Sequence, residues 1–341
     1  MTTGLAVHPR PSIQPSSDTP EELYLELTNR CNLRCRTCPQ YFGMPETTHD
    51  LSWERVLEIT DQVQDLRRVV LHGIGEPLLH PELPRIIEHC KRRGAYVLFN
   101  SNGLLLRGTR AEAIARSGLD ELRISIDGGT AETYRTIRGV EGFDRIFANL
   151  RAFEALKAGI GARAPRVSLW VTGMKANVGD LPRLVRLAAE HGIGEVYLQR
   201  LVFSGAGMAT REQSVYRDAE AMAVMDEAVE LGRTLGVTVR GSGELGTAGG
   251  MDGGAPLDPA APWQGCRRPW RLMYVTANGN VLPCCVSPFT GVPYEGIVLG
   301  NVGQSSVANV WTGEGYTRWR AAMVSSEPPA ACRGCGADWS L

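Results

Sequence analysis

Nine cysteines are spread unevenly along this 341-residue sequence, and their spacing is where its chemistry is easiest to read. Cys31, Cys35 and Cys38 form a C-x3-C-x2-C triplet followed at once by Pro39. Three thiolates at this spacing can hold three irons of a [4Fe–4S] cube, which leaves the fourth iron without a protein ligand from the motif. An open metal position is where a substrate can coordinate and react. A zinc site completed by a fourth ligand elsewhere is the plainer alternative.

A second set lies near the C-terminus. Cys266 is followed after twelve residues by Gly279, and Gly279 after four by Cys284; Cys332 and Cys335 then form a C-x2-C pair. Four thiolates suit either a fully ligated iron–sulfur cluster or a structural zinc. Two cysteines remain. Cys90 falls on a helix pattern and is expected in the core. Cys285, next to Cys284, either packs beside the metal or donates hydrogen to a substrate radical; packing is the favoured reading. An odd, clustered set argues for metal or redox chemistry over a disulfide framework.

The elements that must position these residues follow from periodicity. Strand patterns run over 23–28, 68–72, 96–100, 121–126, 167–172 and 195–201. Helix patterns run over 53–66, 81–93, 110–117, 131–137, 143–157, 181–191 and 219–235. Strands alternating with helices indicate βα units around a parallel sheet. Six such strands make a partial (β/α)6 barrel, with functional residues at the strands' C-terminal ends by analogy with complete barrels. The stretch 241–262 is dominated by Gly, Ala, Pro and Asp and reads as a linker. Beyond it, 273–276 and 281–283 flank Asn278-Gly279, a tight hairpin turn signal. The expected organisation is a disordered lead-in over 1–20, a barrel over 21–240, the linker over 241–262 and a small β-hairpin/helix domain over 263–341.

On these residues the chain resembles the radical S-adenosylmethionine (SAM) superfamily. The triplet beginning at Cys31 is similar to that family's signature. His72-Gly73-Ile74-Gly75-Glu76-Pro77 after the second strand resembles its Gly-Gly-Glu-Pro motif, with Ile74 in the first Gly place. The resemblance implies a [4Fe–4S] cluster whose exposed iron chelates SAM. One electron from the reduced cluster then yields methionine and a 5′-deoxyadenosyl radical that abstracts hydrogen from a substrate. It makes Gly75, Glu76, Asn102 and Ser125 candidate cofactor contacts and Arg138 a candidate substrate contact. From their places just beyond the fifth strand and near the end of the sixth, Gln199 is a further candidate cofactor contact and Lys175 and Arg200 further candidate substrate contacts. Many members carry an aromatic residue before the third cysteine; here Thr37 stands there, with Tyr41 nearby.

The segments 278–284, 299–302 and Val310-Trp311 resemble the auxiliary-cluster extension called SPASM. With six residues after Cys335, the shorter single-cluster form, twitch, is expected, giving two [4Fe–4S] clusters in all. The closest resemblance in cysteine arrangement is to aminoglycoside- and sugar-modifying dehydrogenases and epimerases, 2-deoxy-scyllo-inosamine dehydrogenase among them. The expected substrate is therefore a sugar, aminocyclitol or nucleoside-sugar of antibiotic biosynthesis, oxidised or epimerised. No leader-binding domain fits the short lead-in, which weighs against a peptide. Radical decarboxylation or diol dehydration, modification of a ribosomal peptide, and a non-catalytic zinc protein are the alternatives. An external electron donor such as flavodoxin or ferredoxin is implied. A net charge of −1 gives no electrostatic footprint for nucleic acid. No apolar run is long enough to span a bilayer, and a cytoplasmic location is expected.

Overall fold

The computed structural model describes residues 15, 17–43, 46–215, 218–242 and 260–336. Much of the expected lead-in and of the Gly/Pro-rich linker lies outside the described residues. The first strands are β1 (Glu22–Leu25), β2 (Arg68–Val70), β3 (Tyr96–Ser101), β4 (Glu121–Ser125), β5 (Arg166–Gly173), β6 (Glu195–Arg200) and β7 (Thr238–Gly241). Among the helices are α1 (Pro39–Phe42), α2 (Trp53–Asp61), α3 (Leu83–Arg92), α4 (Gly108–Arg116), α5 (Ala131–Arg138), α6 (Phe143–Gly159), α7 (Leu181–Glu190) and α8 (Ala219–Leu235). The C-terminal part adds α9 (Arg268–Arg271), β8 (Leu272–Val275), β9 (Asn280–Leu282), β10 (Gly300–Asn301), α10 (Val307–Thr312) and α11 (Glu314–Val324).

Strands β1 to β7 pair in sequence order and all in parallel. The sheet stays open, with β7 at one edge and β10 at the other. The six βα units make a partial barrel. The strand period explains how it is filled. Leu23, Val69, Val97, Leu122, Val167 and Val196 point outward and join Ile86, Ile114, Ile146 and Leu184 of the helices in one core. The alternate residues point inward, and several are polar: Tyr24, Arg123 and Ser168 are all buried.

Two features were not legible from periodicity. The short strand β7 extends the sheet just before the Gly-rich stretch. More consequentially, β8 pairs in parallel with β1, Glu22 opposite Leu272 and Leu25 opposite Val275. The C-terminal hairpin is thus hydrogen-bonded to the first barrel strand in a single ten-stranded sheet. The expected hairpin is present as β8 and β9, but its turn is longer than a two-residue Asn-Gly turn. Thr276 N–H bonds the Asn280 carbonyl at 2.8 Å, Gly279 N–H bonds the Thr276 carbonyl at 2.9 Å, and Gly279 takes φ of 81°. That is a three-residue loop closed by a left-handed glycine. No helix among the described residues is long and apolar enough to cross a membrane.

Candidate functional site

The loops at the C-terminal ends of β1 to β6 surround one cavity, and Cys31, Cys35 and Cys38 all line it. The cysteine loop follows β1 directly. Its local geometry comes from short-range bonds: Cys38 N–H to the Cys35 carbonyl at 3.0 Å, and Leu33 N–H to Cys31 Sγ at 3.4 Å. Burial pushes the Cys31 thiol up to about 11 and the Cys38 thiol up to about 12. Thiols in that state ligate only when a metal displaces their protons.

The loop after β2 is held against the cysteine loop by close backbone contact. A Cβ on Gly75 would lie 2.0 Å from the Thr28 carbonyl oxygen, and Glu76 N–H bonds the Arg30 carbonyl at 2.8 Å. The glycine is therefore required for approach to the neighbouring loop. The Glu76 carboxylate is buried and accepts three bonds: Leu78 N–H at 3.0 Å, Ser101 Oγ at 2.8 Å and Asn102 N–H at 2.8 Å. Burial raises its pKa, and the donors oppose that rise. It ties the β2 and β3 loops together at the cavity wall. Asn102 closes its own turn by accepting from Leu104 N–H at 3.1 Å and donates to Asn32 Oδ1 at 2.9 Å.

Helix α5 delivers Arg138. Thr130 caps its N-terminus and Gly139 ends it with φ of 77°, which leaves Arg138 in the last turn. Its guanidinium contacts Asp127 at 2.8 Å and Cys35 Sγ at 3.6 Å. Burial works against this charge, but Asp127 and Cys35 hold its pKa above the ordinary arginine value. On the opposite wall Trp170 stacks on Tyr197 with ring centroids 4.1 Å apart, and Arg123 lies 4.1 Å over the Trp170 ring. His72 is driven down to about 3 by burial, with Arg123 and Arg68 adding to the effect. It faces the cavity as a neutral imidazole.

A second, smaller cavity is lined by Cys266, Cys284, Cys332 and Cys335. Its other walls include Trp263, Pro269, Pro283, Trp319 and Met323. Cys285 turns the other way and lines the large cavity, so two adjacent cysteines serve different spaces. Burial lifts the Cys285 thiol to about 11, with Arg268 pulling in the opposite direction. No three Cys, His, Asp or Glu side chains among the described residues converge as a single-ion site requires. The sulfurs ring two cavities instead.

Comparison with known proteins matches this geometry. Residues 25–188 fit the model of the radical SAM superfamily, and residues 266–336 fit that of the SPASM iron–sulfur cluster-binding domain. The chain is a radical SAM enzyme with a SPASM domain. It is 27% identical over 325 residues to "PqqA peptide cyclase" of Streptomyces rochei, across 94% of this chain and 83% of that protein. It is 26% identical over 333 residues to the "Tungsten-containing aldehyde ferredoxin oxidoreductase cofactor-modifying protein" of Pyrococcus furiosus, across 92% of this chain and 86% of the relative. Among solved structures, SuiB of Streptococcus suis bound to S-adenosylmethionine superposes with a TM-score of 0.69 at 17% identity, covering 89% of this chain and 68% of that one.

Radical SAM enzymes of this domain composition use SAM and [4Fe–4S] clusters, one of them auxiliary. The large cavity fits SAM. Asn100 Oδ1 and Arg138 Nε are buried there without a hydrogen-bond partner, as suits a polar ligand. Of the residues singled out from sequence, Gly75, Glu76, Asn102, Ser125, Arg138, Gln199, Arg200 and Cys285 line this cavity. Lys175 is not brought to it. It pairs at 3.2 Å with Asp218 at the N-terminus of α8 and is half-exposed. Thr37 lines the cavity, while Tyr41 is 49% exposed and is not part of its lining. Cys90 is fully buried in the core, as expected.

Sequence reasoning missed Tyr24, Arg123, Trp170, Tyr197 and Arg268, which all line the cavity. The first four occupy the inward phase of their strands. A polar or aromatic residue alternating with aliphatics was the available signal. It also missed Glu26. That buried carboxylate accepts Ile74 N–H at 2.6 Å, Tyr274 OH at 3.2 Å and Ala277 N–H at 3.2 Å. It joins the Gly75 loop to the C-terminal hairpin.

Proposed function

We propose that this radical SAM enzyme modifies a ribosomally made peptide, removing hydrogen from a side chain so that a cross-link forms. The observation that carries this is the 27% identity to a PqqA peptide cyclase along 94% of the chain. SuiB, whose fold this chain shares with a TM-score of 0.67, has also been solved bound to precursor peptide SuiA. This reading takes the place of the sugar, aminocyclitol or nucleoside-sugar substrate and its dehydrogenase or epimerase outcome. Those rested on the cysteine arrangement and on the length of the lead-in.

In this proposal Cys31, Cys35 and Cys38 hold the SAM-binding cluster. Cys266, Cys284, Cys332 and Cys335 hold the auxiliary one. When bound, SAM and the reduced cluster supply the hydrogen-abstracting radical chemistry. The chain's own task is to orient ligands and exclude water. Arg138, fixed by Asp127, lies where a carboxylate beside Cys35 would be met. Asn100 Oδ1 accepts from a polar ligand group. Trp170 and Tyr197 present a flat apolar wall to a substrate side chain. Cross-linking removes two hydrogens: one leaves as an atom to the radical, and the other as a proton and an electron; Cys266, Cys284, Cys332 and Cys335 would hold the cluster able to take up that electron. An external one-electron donor, flavodoxin or ferredoxin, restarts the cycle.

The test incubates reconstituted enzyme with SAM and dithionite and, separately, with PqqA, SuiA or 2-deoxy-scyllo-inosamine. Production of 5′-deoxyadenosine coupled to a peptide lighter by two hydrogens supports the reading. Oxidation of the cyclitol with both peptides untouched sinks it.

A further inference from the structure

The segment 267–271, which holds helix α9 and its N-cap, carries three arginines near the second cysteine set, and they are satisfied unequally. Arg271 pairs with Glu22 at 3.1 Å. Arg267 donates to the Gln264 carbonyl at 2.7 Å. Arg268 is 6% exposed, and no carboxylate pairs with it among the described residues. The contrast with Arg320 is instructive. That buried guanidinium bonds the Pro269 and Trp311 carbonyls and lies over the Trp311 and Tyr316 rings.

A buried charge needs a counter-charge or dense hydrogen bonding. The surroundings of Arg268 indicate which. It lines the small cavity together with Cys266, Cys284, Cys332 and Cys335, and it also lines the large cavity beside Tyr24 and Cys285. Its backbone is rigidly placed, because α9 runs directly into β8, which is bonded to β1. Resting on the reading that these four cysteines hold the auxiliary cluster, the anion available to Arg268 is that cluster with its thiolates.

We infer that Arg268 is the counter-charge of the auxiliary cluster and a positioning residue that sets how readily the cluster takes up an electron. A cube with four thiolates gains one negative charge when it accepts one electron. A fixed positive charge nearby stabilises the reduced form more than the oxidised form. Because the same guanidinium borders the large cavity, the charge stands on the side from which a substrate electron would arrive. Arg271 differs, since it is half-exposed and pairs with Glu22.

The experiment is a potentiometric titration of the reconstituted full chain with dithionite, following each cluster by electron paramagnetic resonance. Iron and sulfide are counted first. A parent protein with about four irons in place of about eight overturns the ligand reading itself, whatever Arg268 does. With both clusters present, Arg268→Gln should shift the auxiliary potential to more negative values and leave the SAM-binding cluster where it was. Arg268→Lys should stay near the parent, and Arg271→Gln should shift neither cluster. Loss of auxiliary iron in Arg268→Gln but not in Arg268→Lys would also support a required charge. Unchanged potentials in a fully loaded Arg268→Gln protein would overturn the inference. So would equal shifts of both clusters, or equal loss of iron in the Gln and Lys variants.

Discussion

The two cysteine sites of this enzyme differ less in their sulfurs than in what surrounds them. Cys31, Cys35 and Cys38 border a cavity whose walls carry Glu76, Asn100 and Arg138. The four C-terminal cysteines are enclosed by Trp263, Pro269, Pro283, Trp319 and Met323. In the proposed assignment, three ligands beside polar, reachable space would make a reactive centre, since one iron is left for a ligand from solution. Four ligands among mostly apolar side chains, with Arg268 beside them, would make a centre that stores charge. Between them lies Glu26, bonded both to the Ile74 loop of the first site and to the Ala277 turn of the second.

The contrast can be broken most severely at its reactive side. Cys31→Ala should abolish SAM cleavage and halve the iron, from about eight to about four per chain; 5′-deoxyadenosine quantitation and iron assay check both. Cys332→Ala should also leave about four irons but separate the functions: SAM is still cleaved under dithionite, while product from a peptide substrate is lost. Loss of SAM cleavage in that variant as well would mean that the sites do not divide the work.

Smaller effects sharpen the comparison. Gly75→Ala forces a methyl to within 2.0 Å of the Thr28 carbonyl. Overpacking of this kind costs about 1–3 kcal/mol, and SAM affinity should fall while auxiliary iron is retained. Urea melts and SAM titration read the two effects.

Glu26 gives a pH signature. Burial raises its pKa from 4.5 to about 7, against the bonds it accepts. The folded carboxyl keeps its proton where the unfolded one has lost it. Stability therefore falls as pH rises across that window and levels off above it, by about 3 kcal/mol for this one group. Glu26→Gln should flatten that part of the stability–pH curve; an identical curve would remove Glu26 as the link. The smallest effect is expected at Lys175. Lys175→Ala breaks an exposed ion pair and should change stability by less than about 1 kcal/mol, with unaltered SAM cleavage.

What could be read from sequence was local. The C-x3-C-x2-C spacing, the Glu76 loop, Arg138 at the end of α5 and most strand boundaries depend on short-range order, and each lies where its neighbours in sequence put it. What could not be read was pairing over distance. Nothing near Leu272 announces that it lies opposite Glu22. Nothing near Glu26 announces Tyr274, 248 residues away. Arg268 looks like one of three arginines in Arg267-Arg268-Pro269-Trp270-Arg271. Only packing shows that one of them is buried between two cavities. Lys175 is the converse: a position past the fifth strand suggested the cavity, but Asp218 at the start of α8 holds its ammonium group elsewhere. The similarity to peptide cyclases favours a peptide over the sugar expected from sequence; cysteine arrangement reports on the cofactors and carries little information about the molecule beside them.

The most direct test of the division between an open and a closed cluster is electron paramagnetic resonance of the reduced, fully loaded enzyme with and without SAM. One signal should change on SAM addition, the one missing from Cys31→Ala, while the signal missing from Cys332→Ala stays as it was. A SAM-dependent change in the second signal, or in neither, would contradict the account.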